Sequence, residues 1–121
     1  MTTIETLSFI GRILFGLYFA YSGYNHFKNQ KSLTAYAKHK GVPSPSLAVT
    51  VSGILLMIGG IGFFLNWMIV QASLALIIFM VPTTLMMHAF WKEKDPASKM
   101  NEQISFMKNL ALIGALLMFL K

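Results

Sequence analysis

The sequence predicts an all-α membrane protein: a bundle of four transmembrane helices, with a short amphipathic helix between the first and second spans. Three observations predict this class. Apolar residues make up 55% of the 121 residues and charged residues 12%, against roughly 25% charged residues in an ordinary soluble domain. The mean hydropathy is +0.61. Residues 47–91 form a run of 45 without Asp, Glu, Lys or Arg. The length predicts one domain, and the absence of cysteine excludes disulfides and thiolate metal sites.

The first span is predicted over residues 7–27, which are apolar apart from Arg12, His26 and a few small or aromatic polar groups. A secretory signal peptide is the competing interpretation of this segment. A signal peptide needs a basic start, an uncharged apolar stretch and a small-residue cleavage site. Here Glu5 precedes the segment, Arg12 lies within it and no such cleavage site follows. We therefore expect the first helix to be retained.

The long uncharged run holds two spans, because one helix crosses the hydrocarbon core with about 20 residues. Asn66 and Trp67 interrupt the run, which predicts a second span over 47–66 and a third over 67–91. Pro82 lies within the third span, where a transmembrane helix tolerates proline as a kink.

A fourth span is predicted over residues 104–120. It is short, and Lys108 near its start is expected to extend its ammonium back to the lipid headgroups.

Between the first two spans, residues 29–46 fit a short helix lying on the membrane surface. Leu33, Tyr36 and Ala37 share one face of it, and Gly41 supplies a left-handed end. A solvated loop is the alternative interpretation.

The basic residues predict how the bundle is oriented. Eight of the ten lie in or beside the segments 28–46 and 92–107, which are on the same side of the membrane. The positive-inside rule places both segments in the cytoplasm and both chain termini outside. The pI of about 9.8 is thus a signal of topology, and a nucleic-acid partner is not expected.

Small residues recur on the predicted helix faces at spacings that allow close packing. The set comprises Gly16 and Gly23 on the first span, Gly53 and Gly60 on the second, and Ala111 and Ala115 on the fourth. We interpret these residues as helix-packing positions.

Of the two basic residues that are not in or beside the segments 28–46 and 92–107, Lys121 is at the end of the chain, and Arg12, inside the first span, is the one that topology does not explain. Placing an arginine at mid-membrane costs roughly 2.5–3.5 kcal/mol on insertion scales, so it requires partners. The candidates are Glu5, two turns away on the same face, Gln71 on the third span, and the C-terminal carboxylate, which lies on the same side of the membrane. Arg12 is then either a tether between helices or an anchor for an anionic or polar ligand.

A second polar group is expected at the cytoplasmic ends of the spans, where His26, His88, Lys108 and Asn109 should lie at similar depth. Two histidines near a lysine can relay protons or hydrogen-bond a quinone or a lipid headgroup. Residues satisfied at the water interface are the alternative interpretation. No metal site is predicted, because no HxxxH or HxxE pair is present.

Several short motifs follow one another along nearly the whole chain, over about residues 7–120. They are Gly11-Arg12-Ile13-Leu14-Phe15-Gly16, Ser22-Gly23, His26-Phe27, Gly41-Val42-Pro43, His88-Ala89-Phe90-Trp91 and Phe106-Met107-Lys108-Asn109-Leu110-Ala111-Leu112-Ile113-Gly114. In this order and spacing they resemble the DoxX family of small membrane proteins. The resemblance implies a four-helix membrane bundle, with Arg12, His26, His88, Lys108 and Asn109 as the matching positions able to hold a ligand.

The resemblance also implies a function. DoxX relatives accompany thiosulfate–quinone or quinol-oxidising activities, and others are linked to oxidative-stress complexes. An accessory subunit that holds a quinone or lipid near His26, His88 and Lys108 is the first hypothesis; without cysteine or a metal motif the chain is not itself the redox centre. Many relatives carry an acid where this chain has Val51-Ser52-Gly53, which argues against acid-dependent proton chemistry there.

Two other classes of function are open. Distant relatives look like cargo receptors or assembly chaperones, which implies a non-catalytic scaffold that binds a membrane protein. The small-residue helix faces also permit a homodimer. A small transporter ranks third, since comparable exporters need an acid within the first span and Glu5 lies at its end. No catalytic motif is present, so enzymatic activity is left open.

Overall fold

The computed structural model describes all 121 residues, and it confirms the all-α class: there are five α-helices and no strand. The helices are α1 Thr3–Lys28, α2 Gln30–His39, α3 Pro45–Leu65, α4 Ile69–Met87 and α5 Pro96–Leu117, with a 3₁₀ turn Phe90–Lys92 between α4 and α5. Both termini lie at one end of the bundle, and α2 lies at the other.

Local signals set several helix ends. The Thr2 hydroxyl accepts from the Glu5 backbone N–H, and the Glu5 carboxylate accepts from the Thr2 backbone N–H, which is a capping box at the start of α1. Asp95 caps α5 in the same manner through the Ser98 N–H. Gly41, at φ +82°, lets the chain turn from α2 towards α3.

The closest helix pair is α1 with α3, which pack through glycines on both surfaces. A Cβ atom at Gly16 would lie 2.8 Å from the Gly60 carbonyl oxygen and 2.5 Å from the Phe64 nitrogen. One at Gly23 would lie 2.9 Å from the Gly53 oxygen. The two backbones therefore approach directly, and any side chain at these positions would force them apart.

From α1 the bundle continues to α3, then α4, then α5. Its core is a cluster of apolar side chains from all four long helices: Phe19, Leu56, Phe63, Ala72, Leu76, Met80 and Leu116. Of the alanine pair proposed for packing on the last helix, Ala115 is half-buried and Ala111 is exposed.

Large apolar side chains cover much of the outer surface, as expected for helices facing lipid. Three helices are long and apolar enough to cross a membrane: Thr3–Lys28, Pro45–Leu65 and Ile69–Lys92, which includes the 3₁₀ turn. The helix corresponding to the predicted fourth span, 104–120, is not among them. It begins earlier, at Pro96, with a charged first half, and ends at Leu117, so its apolar part is short.

Candidate functional site

A cavity of about 430 Å³ lies at the α2 end of the bundle, between α2, α3, α4 and the end of α1. We call it the histidine cavity. Its polar lining consists of His26, Tyr36, Ser52, Thr83 and His88, and the remaining walls are apolar. Its size is that of a small-molecule site, in which an apolar wall carries a few polar groups that orient the ligand.

His26 enters the cavity from the last turns of α1. Its Nδ1 lies 2.8 Å from the Ser22 carbonyl oxygen. Because a carbonyl only accepts, Nδ1 carries the proton of this bond, and Nε2 of the neutral ring is left as an acceptor. The ring also packs edge-to-face against Phe79 of α4, with centroids 5.9 Å apart. The imidazole is therefore held in place while one acceptor is unused.

His88 enters from the opposite wall, where it ends α4. Its buried Nδ1 lies 3.6 Å from Oε2 of Glu102 on α5, and it has no hydrogen-bond partner. This separation exceeds a hydrogen bond, but the carboxylate favours the tautomer of the neutral imidazole that carries its proton on Nδ1. His88 thus lies between the cavity and a charged cluster outside it.

That cluster consists of Lys40, Glu93 and Glu102. The Lys40 ammonium donates to Oε1 of Glu93 at 3.1 Å and to Oε2 of Glu102 at 2.9 Å. Lys40 and Glu102 are only 15% and 14% exposed. Burial alone would lower the pKa of Lys40, but the bonds to Glu102 and then Glu93 outweigh it and raise that pKa above its ordinary value. The lysine is therefore a stable cation that joins α2 to α5 and to the segment before it.

The start of α2 is also fixed. The Gln30 side-chain amide donates to the Ser46 carbonyl at 3.1 Å and to the Thr50 hydroxyl at 3.2 Å, both on α3. Leu33, Tyr36 and Ala37 of α2 line the cavity. Because α2 is attached at both ends, it forms a defined wall of the cavity.

Pro82 contributes a further polar feature. Proline has no N–H, so the carbonyl of Ile78, four residues earlier, lacks its usual helical donor. Both residues line the cavity. The hydroxyl of the neighbouring Thr84 is buried without a partner. The proline thus adds hydrogen-bonding capacity to an otherwise apolar helix face.

Of the four residues expected to lie at similar depth at the α2 end of the bundle, only two line the histidine cavity. His26 and His88 share the histidine cavity, whereas Lys108 and Asn109 do not line it. Lys108 is exposed, and Asn109 is 8% exposed on α5.

Arg12 has partners different from those expected. Its Nη1 donates to the carbonyls of Phe63 at 2.8 Å and Phe64 at 2.6 Å, at the end of α3. Neither Glu5 nor Gln71 bonds it: Glu5 caps its own helix, and Gln71 is exposed. The last carbonyls of a helix carry partial negative charge, so those of Phe63 and Phe64 replace the carboxylate as the partner.

Comparison with known families agrees with the resemblance seen in the motifs. The family model described as DoxX matches residues 7–89. The chain belongs to the DoxX family. Comparison with curated proteins and with solved structures gave no match. Every residue lining the histidine cavity lies within the DoxX match, whereas Glu93 and Glu102 lie beyond it.

Sequence reasoning missed the charged cluster of this DoxX protein. The charge pattern counts Lys40 only among the basic residues that indicate topology, and it places no acid near His88. The available signal was the presence of three acids, Glu93, Asp95 and Glu102, in the segment that follows His88. Their pairing with Lys40 joins residues more than 50 positions apart, which periodicity does not reveal.

Proposed function

We propose that this DoxX protein holds the headgroup of a quinone or quinol in the histidine cavity, as an accessory subunit of a membrane electron-transfer or oxidative-stress system. The observation that carries the proposal is that His26 and His88, from different helices, line one apolar cavity. A quinol combines an apolar ring and tail with two hydroxyl groups, and the cavity combines apolar walls with a few polar side chains.

The polar atoms of the cavity suit this ligand. The free Nε2 of His26 accepts a hydrogen bond from a quinol hydroxyl. Tyr36, Ser52 and Thr83 offer hydroxyl groups that can donate to a quinone oxygen. The ring would pack against apolar side chains such as Phe79 and Leu55. A lipid with a hydroxyl-bearing headgroup has related chemistry, but it has no aromatic ring to pack against Phe79.

In this role the chain binds and orients the ligand, and an associated redox protein takes the two electrons that a bound quinol gives up on oxidation. With no cysteine and no cluster of metal-ligating side chains, its own residues offer hydrogen bonds and positioning. Glu102 beside His88 connects the cavity to a charged cluster near water, so a proton from a bound quinol has acceptors in that direction.

Titration of the purified protein with decylubiquinol tests the proposal. We expect saturable binding by calorimetry and a rise in thermal stability on binding. His26→Phe keeps the aromatic contact with Phe79 but removes the acceptor, and it should weaken binding about tenfold, since one hydrogen bond contributes about 1.4 kcal/mol.

His39→Phe is the matched control, because His39 is an exposed histidine of α2 that does not line the cavity. It should bind decylubiquinol as the unaltered protein does. Equal affinity in the His26 and His39 variants would reject the quinone role and favour the non-catalytic scaffold.

We also propose that the α2 end faces the cytoplasm and that α5 forms a fourth crossing. The basic residues around α2 and before α5 support this orientation. The burial of Leu116 in the shared core supports placing α5 in the bundle. Reporters fused after Lys121 should be active outside the cytoplasm, and cytoplasmic activity would contradict the proposed arrangement.

A further inference from the structure

A second cavity, of about 570 Å³, lies at the end of the bundle that carries the chain termini. We call it the arginine cavity. Its polar side chains are Ser8, Arg12 and Asn66, and its apolar walls include Phe15, Phe63 and Phe119. Arg12 is its only charged residue, so the cavity has an excess of positive charge.

The Arg12 guanidinium is only partly satisfied by the protein. It has five N–H donors, and both bonds that it makes come from Nη1, to the two carbonyls at the end of α3. Nε and Nη2 have no partner, and no carboxylate forms an ion pair with Arg12. The Phe9 ring lies 5.2 Å from the guanidinium carbon and adds a cation–π contact. Three donors and a net charge therefore remain available.

The two existing bonds also fix the orientation of the guanidinium. Nη1 is held by the Phe63 and Phe64 carbonyls, so the planar group cannot rotate freely. An oriented guanidinium presents its remaining donors in a fork that matches two oxygens of a phosphate or carboxylate. Ser8 and Asn66 add neutral donors on the same cavity wall.

We propose that the arginine cavity binds a phosphate group through Nε and Nη2 of Arg12. The aromatic walls favour a phosphate carried by an amphiphile, whose acyl chains would lie along the exposed apolar faces of α1 and α5. This site is independent of the histidine cavity, which lies at the other end of the bundle. It assigns a ligand to the one basic residue that membrane topology does not explain.

Native mass spectrometry of the detergent-purified protein tests this site with three probes: phosphatidylglycerol, diacylglycerol with the same chains, and inorganic phosphate. We expect saturable binding of phosphatidylglycerol at least tenfold tighter than that of diacylglycerol. Arg12→Gln keeps a donor for the α3 carbonyls but removes the charge, and it should lose this preference. Lys121→Gln, at the same end but outside the cavity, should retain it.

Ala115→Phe provides a second variant, since Ala115 lines the cavity and a larger side chain would occupy part of it without altering Arg12. It should lose phosphatidylglycerol binding while the helical circular dichroism is unchanged. Competition by millimolar inorganic phosphate, dependent on Arg12, would support the site and identify free phosphate as a source of the ligand. Equal binding of phosphatidylglycerol and diacylglycerol, or binding unaffected by both cavity variants, would overturn the proposal.

Discussion

Gly60→Ala is expected to destabilise the bundle by about 3 kcal/mol, the upper end of the usual range for an overpacked interface. A Cβ at Gly60 would overlap the backbone nitrogen of Ala20 and lie 2.8 Å from the Gly16 carbonyl oxygen. These atoms belong to the α1 backbone, which cannot move aside as a flexible side chain can. The two helices would have to separate along a contact that Gly16, Gly23 and Gly53 also form. Dodecyl sulfate titration of the protein in mixed micelles, followed by circular dichroism, measures the change.

Gly11→Ala is the matched control, because Gly11 is also a helical glycine, in α1, and a Cβ there would meet nothing within 4 Å. It should unfold at the same dodecyl sulfate fraction as the unaltered protein or at a higher one, since alanine favours a helix over glycine. Equal destabilisation by both substitutions would contradict this account, because a Cβ at Gly11 overlaps no atom of the neighbouring helix.

Lys40→Met is expected to release the end of α2 and so open the histidine cavity. Methionine keeps much of the apolar stem but leaves the Glu93 and Glu102 carboxylates close together without a cation. Losing hydrogen bonds to charged groups costs about 2 kcal/mol, which corresponds to a roughly 30-fold larger equilibrium constant for local opening. Amide hydrogen exchange in α2 measures this directly, because its protection reports local unfolding.

Lys38→Met is the control, because Lys38 is exposed on the same helix and forms no ion pair. It should leave the exchange of α2 unchanged.

The raised pKa of Lys40 also predicts how the protection of α2 depends on pH. A lysine whose pKa is raised by folding stabilises the folded state fully at pH values below its pKa in the unfolded chain, about 10.4. This stabilisation is lost only as the pH rises through the pKa in the folded protein. Protection of α2, corrected for intrinsic exchange, should therefore be equal at pH 7 and pH 9.

The helices were predictable from sequence because membrane solvation leaves few alternatives. A run of 45 uncharged residues must form two helices, since every backbone polar group in lipid must bond within its own segment. Asn66 and Gly41 then marked turns that the structure places at positive φ. The last helix was less predictable. Pro96–Leu117 combines a charged half with a short apolar half, so its apolar residues do not recur at one regular spacing along the whole helix.

The candidate site was predictable only in part. His26 and His88 could be placed at one end of the bundle because each lies near the end of a span running in the same direction. Whether they share a cavity depends on how α2, α3 and α4 pack around them, and residues of all three helices line it. The partners of Arg12 were unpredictable for a related reason, since backbone carbonyls leave no trace in composition or charge.

Photo-crosslinking tests most directly the central claim that the histidine cavity holds a quinone headgroup. The purified protein would be irradiated with an azido-ubiquinone and the labelled peptides identified by mass spectrometry. Labelling should concentrate on residues lining the cavity from α3 and α4, such as Ser52, Phe79 and Thr83. Excess decylubiquinol should suppress it, and His26→Phe should reduce it. Labelling spread over the lipid-facing surfaces, unaffected by decylubiquinol or by His26→Phe, would contradict the claim.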